Sequence, residues 1–169
     1  MVQNQYSMNS DHNTEIVIET PKGSAIKYTW DEDRNVLKFK KCMPLGFVFP
    51  FDFGMIPKTK AEDGDPVDVL LLLEDSIYPG AFMDVRIIAA LKADQKKDVK
   101  YRNDRLIAIE STCPVFGHFT SLKDITPHMR QQIENFFKSY NEVQGKEFTP
   151  LGWVDADEAM KLIKDAAIY

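Results

Sequence analysis

The run Asp63-Gly64-Asp65-Pro66-Val67-Asp68, followed at once by Val69-Leu70-Leu71-Leu72-Leu73, sets three carboxylates within six residues at the mouth of an apolar strand. Carboxylates this close repel one another, and keeping them ionised beside apolar side chains is costly unless cations neutralise them. An oxygen-only donor set without sulfur or imidazole favours Mg²⁺, Mn²⁺ or Ca²⁺ over zinc. Gly64 and Pro66 predict a turn across residues 63–66, because glycine accepts backbone angles closed to other residues and proline presets its own. From Val67 onward the β-branched and aliphatic run predicts a central strand. Its period of two places Asp68 on the face of Leu70 and Leu72, with Val67, Val69 and Leu71 on the other. Asp68 is therefore expected to be partly buried, with Asp63 and Asp65 converging on it from the turn. An EF-hand loop is excluded, since Val67 and Asp68 fall where an oxygen ligand and the required glycine belong, and a strand follows where a helix should begin.

Around this stretch, short β-like runs cover residues 15–19, 24–30, 36–40, 47–53, 67–73, 81–91 and 106–110, separated by turns rich in proline, glycine, Asp and Asn. In residues 47–53, Phe47, Phe49, Phe51 and Phe53 alternate as an aromatic face, and Pro50 points to an edge or bulged strand. After Thr126-Pro127 the period changes: Met129, Ile133, Phe136, Phe137 and Tyr140 recur at helical spacing behind a cap and a first-turn proline. A second helix is expected from Asp155, with Glu158 completing a capping box and Ala159, Leu162, Ile163 and Ala166 buried. Strands first and helices last predict a mainly β (α+β) fold, a small antiparallel barrel with C-terminal helices packed on it.

The 169 residues suit one domain, residues 15–169, preceded by a flexible arm over residues 1–14 that has too little apolar surface to offset the entropy of ordering. Hydrophobic content of 44% and charged content of 28% match a soluble globular chain. A net charge of −5 argues against a general nucleic-acid binder. No apolar stretch approaches bilayer-spanning length and the polar N-terminus lacks a signal peptide, so a cytoplasmic location without membrane attachment is expected. Cys42 and Cys113 sit at no zinc-ligand spacing with His12, His118 or His128, and reduced thiols account for them. His118, in a turn-like stretch, is expected at the surface or hydrogen-bonded.

DGDPVDV resembles the signature of the soluble family I inorganic pyrophosphatases, and the resemblance runs from about Glu15 to the last helix. IETPKGSAIKY resembles that family's first strand pair, FPFDFGMIP its tyrosine-containing strand, and the helix ending FFKSY its C-terminal phosphate-contacting segment. The resemblance implies a five-stranded OB-like barrel with flanking helices, hydrolysis of pyrophosphate with several Mg²⁺ ions (Mn²⁺ as a substitute) and a homo-oligomer. By position it implies Asp63 and Asp68 as metal ligands, Asp68 shared by two ions, and Asp65 as acceptor of the attacking water's proton. It further implies Lys27, Lys41 and Tyr140 as phosphate contacts and Glu19 as a supporting group. The chemistry agrees: paired divalent ions acidify a bridging water, an adjacent carboxylate takes its proton, and phosphoryl transfer otherwise needs positioning and charge neutralisation.

The chain departs from that family at several positions. Thr29 stands for a Glu, Lys41 for an Arg, Phe49 and Phe53 for Tyr, and Asn141 for a Lys. Lys41 keeps the charge without the bidentate fork, and the Phe residues lack hydroxyl donors. In residues 92–105, where the family carries two further metal-binding Asp and a Lys, two registers stay open. One offers Asp94, Asp98 and Lys100; the other puts Asn103 at the second Asp and Arg105 at the phosphate-binding Lys. Three functions follow: a Mg²⁺-dependent pyrophosphatase, a hydrolase of another phosphoanhydride, or a noncatalytic phosphate binder.

Overall fold

The structure, a computed structural model, describes residues 12–168. The first strand, β1 (Asn13–Thr20), begins two residues inside the expected arm, whose residues 1–11 lie outside the described residues. It is followed by β2 (Ile26–Asp31), β3 (Val36–Cys42), β4 (Asp52–Met55), β5 (Asp68–Leu72), β6 (Phe82–Lys96), β7 (Lys100–Arg102) and β8 (Arg105–Ile109). Helix α1 (Pro127–Val143), strand β9 (Glu147–Asp155) and helix α2 (Ala156–Ala166) complete the chain. Strands β1, β4, β5, β8 and β6 pair in that order, and β6 pairs back to β1. The predicted five-stranded barrel is this closed ring, with β2 and β3 forming a separate hairpin.

Strand β6 closes the ring because it is long and bent. Residues 82–86 pair with β1, 86–91 with β8 and 89–96 with β9, and a register shift between Ile87 and Ala89 marks the bulge that lets it turn. Strand β5 lies parallel to β8, the one departure within the ring from the expected antiparallel core. The alternation read from Val67 onward holds. Val67, Val69 and Leu71 join a cluster with Ala159 and Ile163 of α2, whereas Leu70 and Leu72 join Phe53, Ile107, Ile133 and Phe137 on the α1 side.

Three local expectations change. Only Asp52–Met55 of the aromatic run is strand, because Pro50 cannot donate to a ladder; Phe49 and Phe53 are still buried, 5.0 Å apart between ring centres. Strand β9 was not foreseen. It pairs with the end of β6 and absorbs Pro150 and Gly152 at a register shift. Thr126 caps α1 as expected, its hydroxyl accepting from Met129 N at 3.2 Å. In α2, Asp155 accepts from Ala156 N at 2.9 Å, and Glu158 pairs with Lys161 at 3.2 Å rather than closing a capping box. Among the described residues no helix is long and apolar enough to cross a membrane. Cys42 and Cys113 are free thiols, and His118 is exposed.

Candidate active site

The turn before β5 is drawn tight by two backbone bonds, Gly64 N to Ala61 O at 3.0 Å and Ala61 N to Asp65 O at 2.8 Å. Gly64 has φ +88°, a conformation other residues rarely adopt. Asp63 Oδ1 accepts from Asp65 N at 3.1 Å, fixing the loop that carries both acids. Asp68 opens β5, paired in register with Met55 of β4 and Arg105 of β8. These segments frame a cleft of about 450 Å³, the size of a small-molecule site. It gathers Asp63, Asp65, Asp68, Glu19, Lys27, Lys41, Arg105 and Tyr140.

Asp94 and Asp98 are not brought there. Asp94 binds Lys100 at 2.8 Å across the β6–β7 hairpin, and Asp98 is exposed in the bend at its tip. Successive side chains of a strand face opposite ways, so it is Gln95, the neighbour of Asp94, that lines the cleft. Of the two registers for residues 92–105, the one that reaches the cleft is Asn103 with Arg105.

The cations are held by aromatic rings as much as by acids. Lys27 Nζ lies 4.8 Å from the centre of the Phe53 ring and 5.8 Å from Phe49. These rings, where tyrosines were expected, provide an electron-rich bed for the ammonium. Burial pushes the Lys27 ammonium below its usual range, partly offset by the charge of Asp68. Lys41, opposite Lys27 in the β2–β3 hairpin, donates to Gln144 Oε1 and lies 5.2 Å from the Tyr140 ring centre. Burial and the charge of Lys40 lower its pKa as well. The Tyr140 hydroxyl is buried and has no hydrogen-bond partner among the described residues. The Asn141 side chain donates to Phe137 O at 2.7 Å, turning its amide nitrogen back to its own helix.

Glu19 is buried on β1 and accepts from Trp30 N at 2.7 Å and Thr29 Oγ1 at 3.2 Å. Desolvation raises its pKa to about 7, with the charge of Asp68 adding to the rise. Thr29, standing where a Glu was expected, thus steadies Glu19. Asp63 is also raised, first by burial and then by the charges of Asp68 and Asp65.

Carboxylates and cations are balanced along the cleft: Glu19, Glu62, Asp63, Asp65 and Asp68 face Lys27, Lys40, Lys41, Arg105 and Lys146. Among the described residues no three Asp, Glu, His or Cys side chains already converge as a ligand set. Asp68 is paired with Arg105 at 2.8 Å and Asp65 with Lys40 at 3.4 Å. The donor chemistry nevertheless fits a hard divalent cation. It is all oxygen, and a cation would offset both the burial and the neighbouring carboxylate charges that raise Asp63. The long, half-exposed Lys40–Asp65 contact is worth at most about 1 kcal/mol, so it yields readily.

Lys40, Lys146, Gln95 and Gln144 were missed in the sequence. Lys146 is carried by the turn into β9, so without that strand nothing in the sequence points it toward the cleft. Lys40 had only a weak signal, its adjacency to Lys41, because neighbouring residues of a strand ordinarily face opposite ways.

The family model described as inorganic pyrophosphatase matches residues 16–168. The chain is 34% identical over 151 residues to an inorganic pyrophosphatase of Methanosarcina acetivorans, covering 89% of this chain and 88% of the relative. It is 34% identical over 148 residues to a soluble inorganic pyrophosphatase of Oryza sativa subsp. indica, covering 88% and 68%. Its fold is similar to the crystal structure of the inorganic pyrophosphatase from Thermus thermophilus, with a TM-score of 0.83, 29% identity, and 94% and 91% of the two chains covered.

Proposed function

The chain belongs to the inorganic pyrophosphatase family, and from that premise we propose that it hydrolyses pyrophosphate to two phosphates with Mg²⁺, or Mn²⁺ in its place. The observation that carries this reading is the single cleft in which Asp63, Asp65 and Asp68 meet Lys27, Lys41 and the buried Tyr140 hydroxyl, which has no hydrogen-bond partner among the described residues. A small, highly charged anion needs both halves: cations and a hydroxyl for its oxygens, and carboxylates for the metal that accompanies it.

In the proposed reaction Asp63 and Asp68 would hold Mg²⁺, which when bound would acidify water and offset charge on the phosphates. Asp65 takes the proton of the attacking water as its oxygen bonds to phosphorus and the bond from that phosphorus to the bridging oxygen breaks. The electron pair leaves on the departing phosphate. Lys27, Lys41 and the Tyr140 hydroxyl hold phosphate oxygens, so the reacting phosphorus is presented in line. Arg105 steadies Asp68, and Glu19 supports the site from β1. The proposed setting is the cytoplasm and the proposed assembly a homo-oligomer; sedimentation at working concentration showing only monomer removes the latter.

A second reading, cleavage of another phosphoanhydride, draws on Phe49 and Phe53 where tyrosines were expected and on the additional lysines Lys40 and Lys146. One assay decides between the readings. Phosphate release from pyrophosphate and from nucleoside di- and triphosphates is measured with Mg²⁺ and Mn²⁺, beside Asp65→Asn. The pyrophosphatase reading expects release from pyrophosphate, lost on chelation with EDTA and reduced about 10²–10⁴-fold in Asp65→Asn. Release no faster than the variant's ends it, turnover of nucleotides alone supports the second reading, and saturable binding without turnover marks a phosphate binder.

A further inference from the structure

On the wall of the cleft formed by the end of β6, β7 and the start of β8, Gln95, Asn103 and Arg105 line the cleft as one polar chain, while the acids of the same stretch, Asp94 and Asp104, are paired with Lys100 and Arg102. Gln95 and Asn103 are both buried there, 5% and 6% exposed. Asn103 Nδ2 donates to Gln95 Oε1 at 2.9 Å. Asn103 Oδ1 accepts from Arg105 Nη1, and that nitrogen also reaches Asp68 Oδ2 at 2.8 Å and the carbonyl oxygens of Asn103 and Asp104, each at 3.1 Å. The amide orientations follow from chemistry. A guanidinium only donates, so Asn103 must turn its oxygen toward Arg105 and its nitrogen toward Gln95, whose oxygen must then accept. Behind this chain the guanidinium carbon lies 5.1 Å from the Phe137 ring centre, 5.8 Å from Phe148 and 6.0 Å from Phe53, which leaves it little freedom to move away.

A divalent ion on this wall would find its oxygens already taken. Gln95 and Asn103 are neutral and engaged, Asp68 gives one oxygen to the guanidinium, and the fixed charge on the wall is positive. Placing a divalent ion there sets it against Arg105 with no carboxylate left to compensate. Arg105 Nε adds an independent sign of what the wall accepts. It is buried without a hydrogen-bond partner among the described residues, in a side chain that lines the cleft, and so remains a donor for an anion.

We propose that Arg105, fixed by the Gln95–Asn103 amide pair and Asp68, stands on this wall in place of a divalent cation. The substrate-free protein then takes one divalent ion, at the carboxylates of the 63–68 segment. Gln95 and Asn103 are the positioning residues that set this number. The inference rests on the functional reading above only in that the carboxylates of that segment take Mg²⁺ or Mn²⁺.

Mn²⁺ tests it directly, by titration calorimetry and electron paramagnetic resonance on the full chain without substrate. The expected result is one ion per chain with the spectrum of an isolated Mn²⁺. Gln95→Asp combined with Asn103→Asp is expected to bind a second ion and to broaden the spectrum through coupling between the two. Should the double variant fail to fold by circular dichroism, Asn103→Asp alone is expected to add a weaker second ion. Two coupled ions in the wild type, or a folded variant still binding only one, overturn the proposal. Wild type that releases phosphate from pyrophosphate while holding two coupled ions removes this inference alone; wild type that binds no Mn²⁺ removes the metal-dependent reading with it.

Discussion

Arg105 and Asp68 show how a single pair sets both stability and chemistry. The guanidinium is buried among three rings, so removing it strands a carboxylate that has lost its main counter-charge. Arg105→Ala is expected to cost about 3–5 kcal/mol in urea denaturation, and adding Asp68→Asn should restore some of that loss, since no charge then stays unpaired. A purely additive double variant contradicts this account. Glu19 makes a prediction about pH. Its pKa is raised from 4.5 to about 7 in the folded protein, chiefly by desolvation, so between those values the folded chain binds a proton that the unfolded chain has released. Stability is complete below about pH 4.5 and falls as pH rises to about 7, by roughly 3 kcal/mol from this group. Glu19→Gln stays neutral throughout and should flatten that slope; an unchanged slope across the same pH range refutes the assignment. Asp68 itself was legible in the sequence, because an acid inside an apolar alternation is costly without a partner. Its partner was not: the sequence offered Arg105 only as a phosphate contact in one of two open registers, because only the parallel β5–β8 register brings it beside Asp68.

The strands and helices differ in how openly the sequence shows them. Helix α1 was legible from its cap, its first-turn proline and its apolar spacing, all of which act within a few residues. Strand β9 was not, because Pro150 and Gly152 are residues that local strand patterns disfavour; what makes it a strand is the edge offered by the end of β6. The seam between β1 and β4 depends on Gly54, where an added Cβ would stand 2.3 Å from Val17 O on the neighbouring strand. Gly54→Ala must therefore push adjacent backbones apart within the closed ring. The expected cost is about 3 kcal/mol or more, read as a lowered denaturation midpoint, and a midpoint unchanged from wild type would show that the seam is looser than its geometry.

At the scale of the molecule, the ring gathers residues from Glu19 to Lys146 into one cleft whose acids and cations nearly cancel. A divalent ion that binds this folded cleft and not the unfolded chain must stabilise the fold. At a hundredfold excess over its dissociation constant, Mg²⁺ is expected to add about 2.7 kcal/mol, seen as a raised melting temperature. Asp63→Asn with Asp68→Asn should abolish the increment, and an increment that survives places the ion elsewhere. The sequence by itself determined the mainly β fold with two C-terminal helices, the acidic turn into a central strand, the faces of β5 and the cap of α1, because turn chemistry, side-chain period and capping operate between near neighbours. Tertiary structure alone decided that β5 runs parallel to β8, that Gln95 rather than Asp94 faces the cleft, and that β9 exists at all. Those outcomes depend on which strand edges meet when the ring closes, and strand edges meet across separations that no local pattern of residues records.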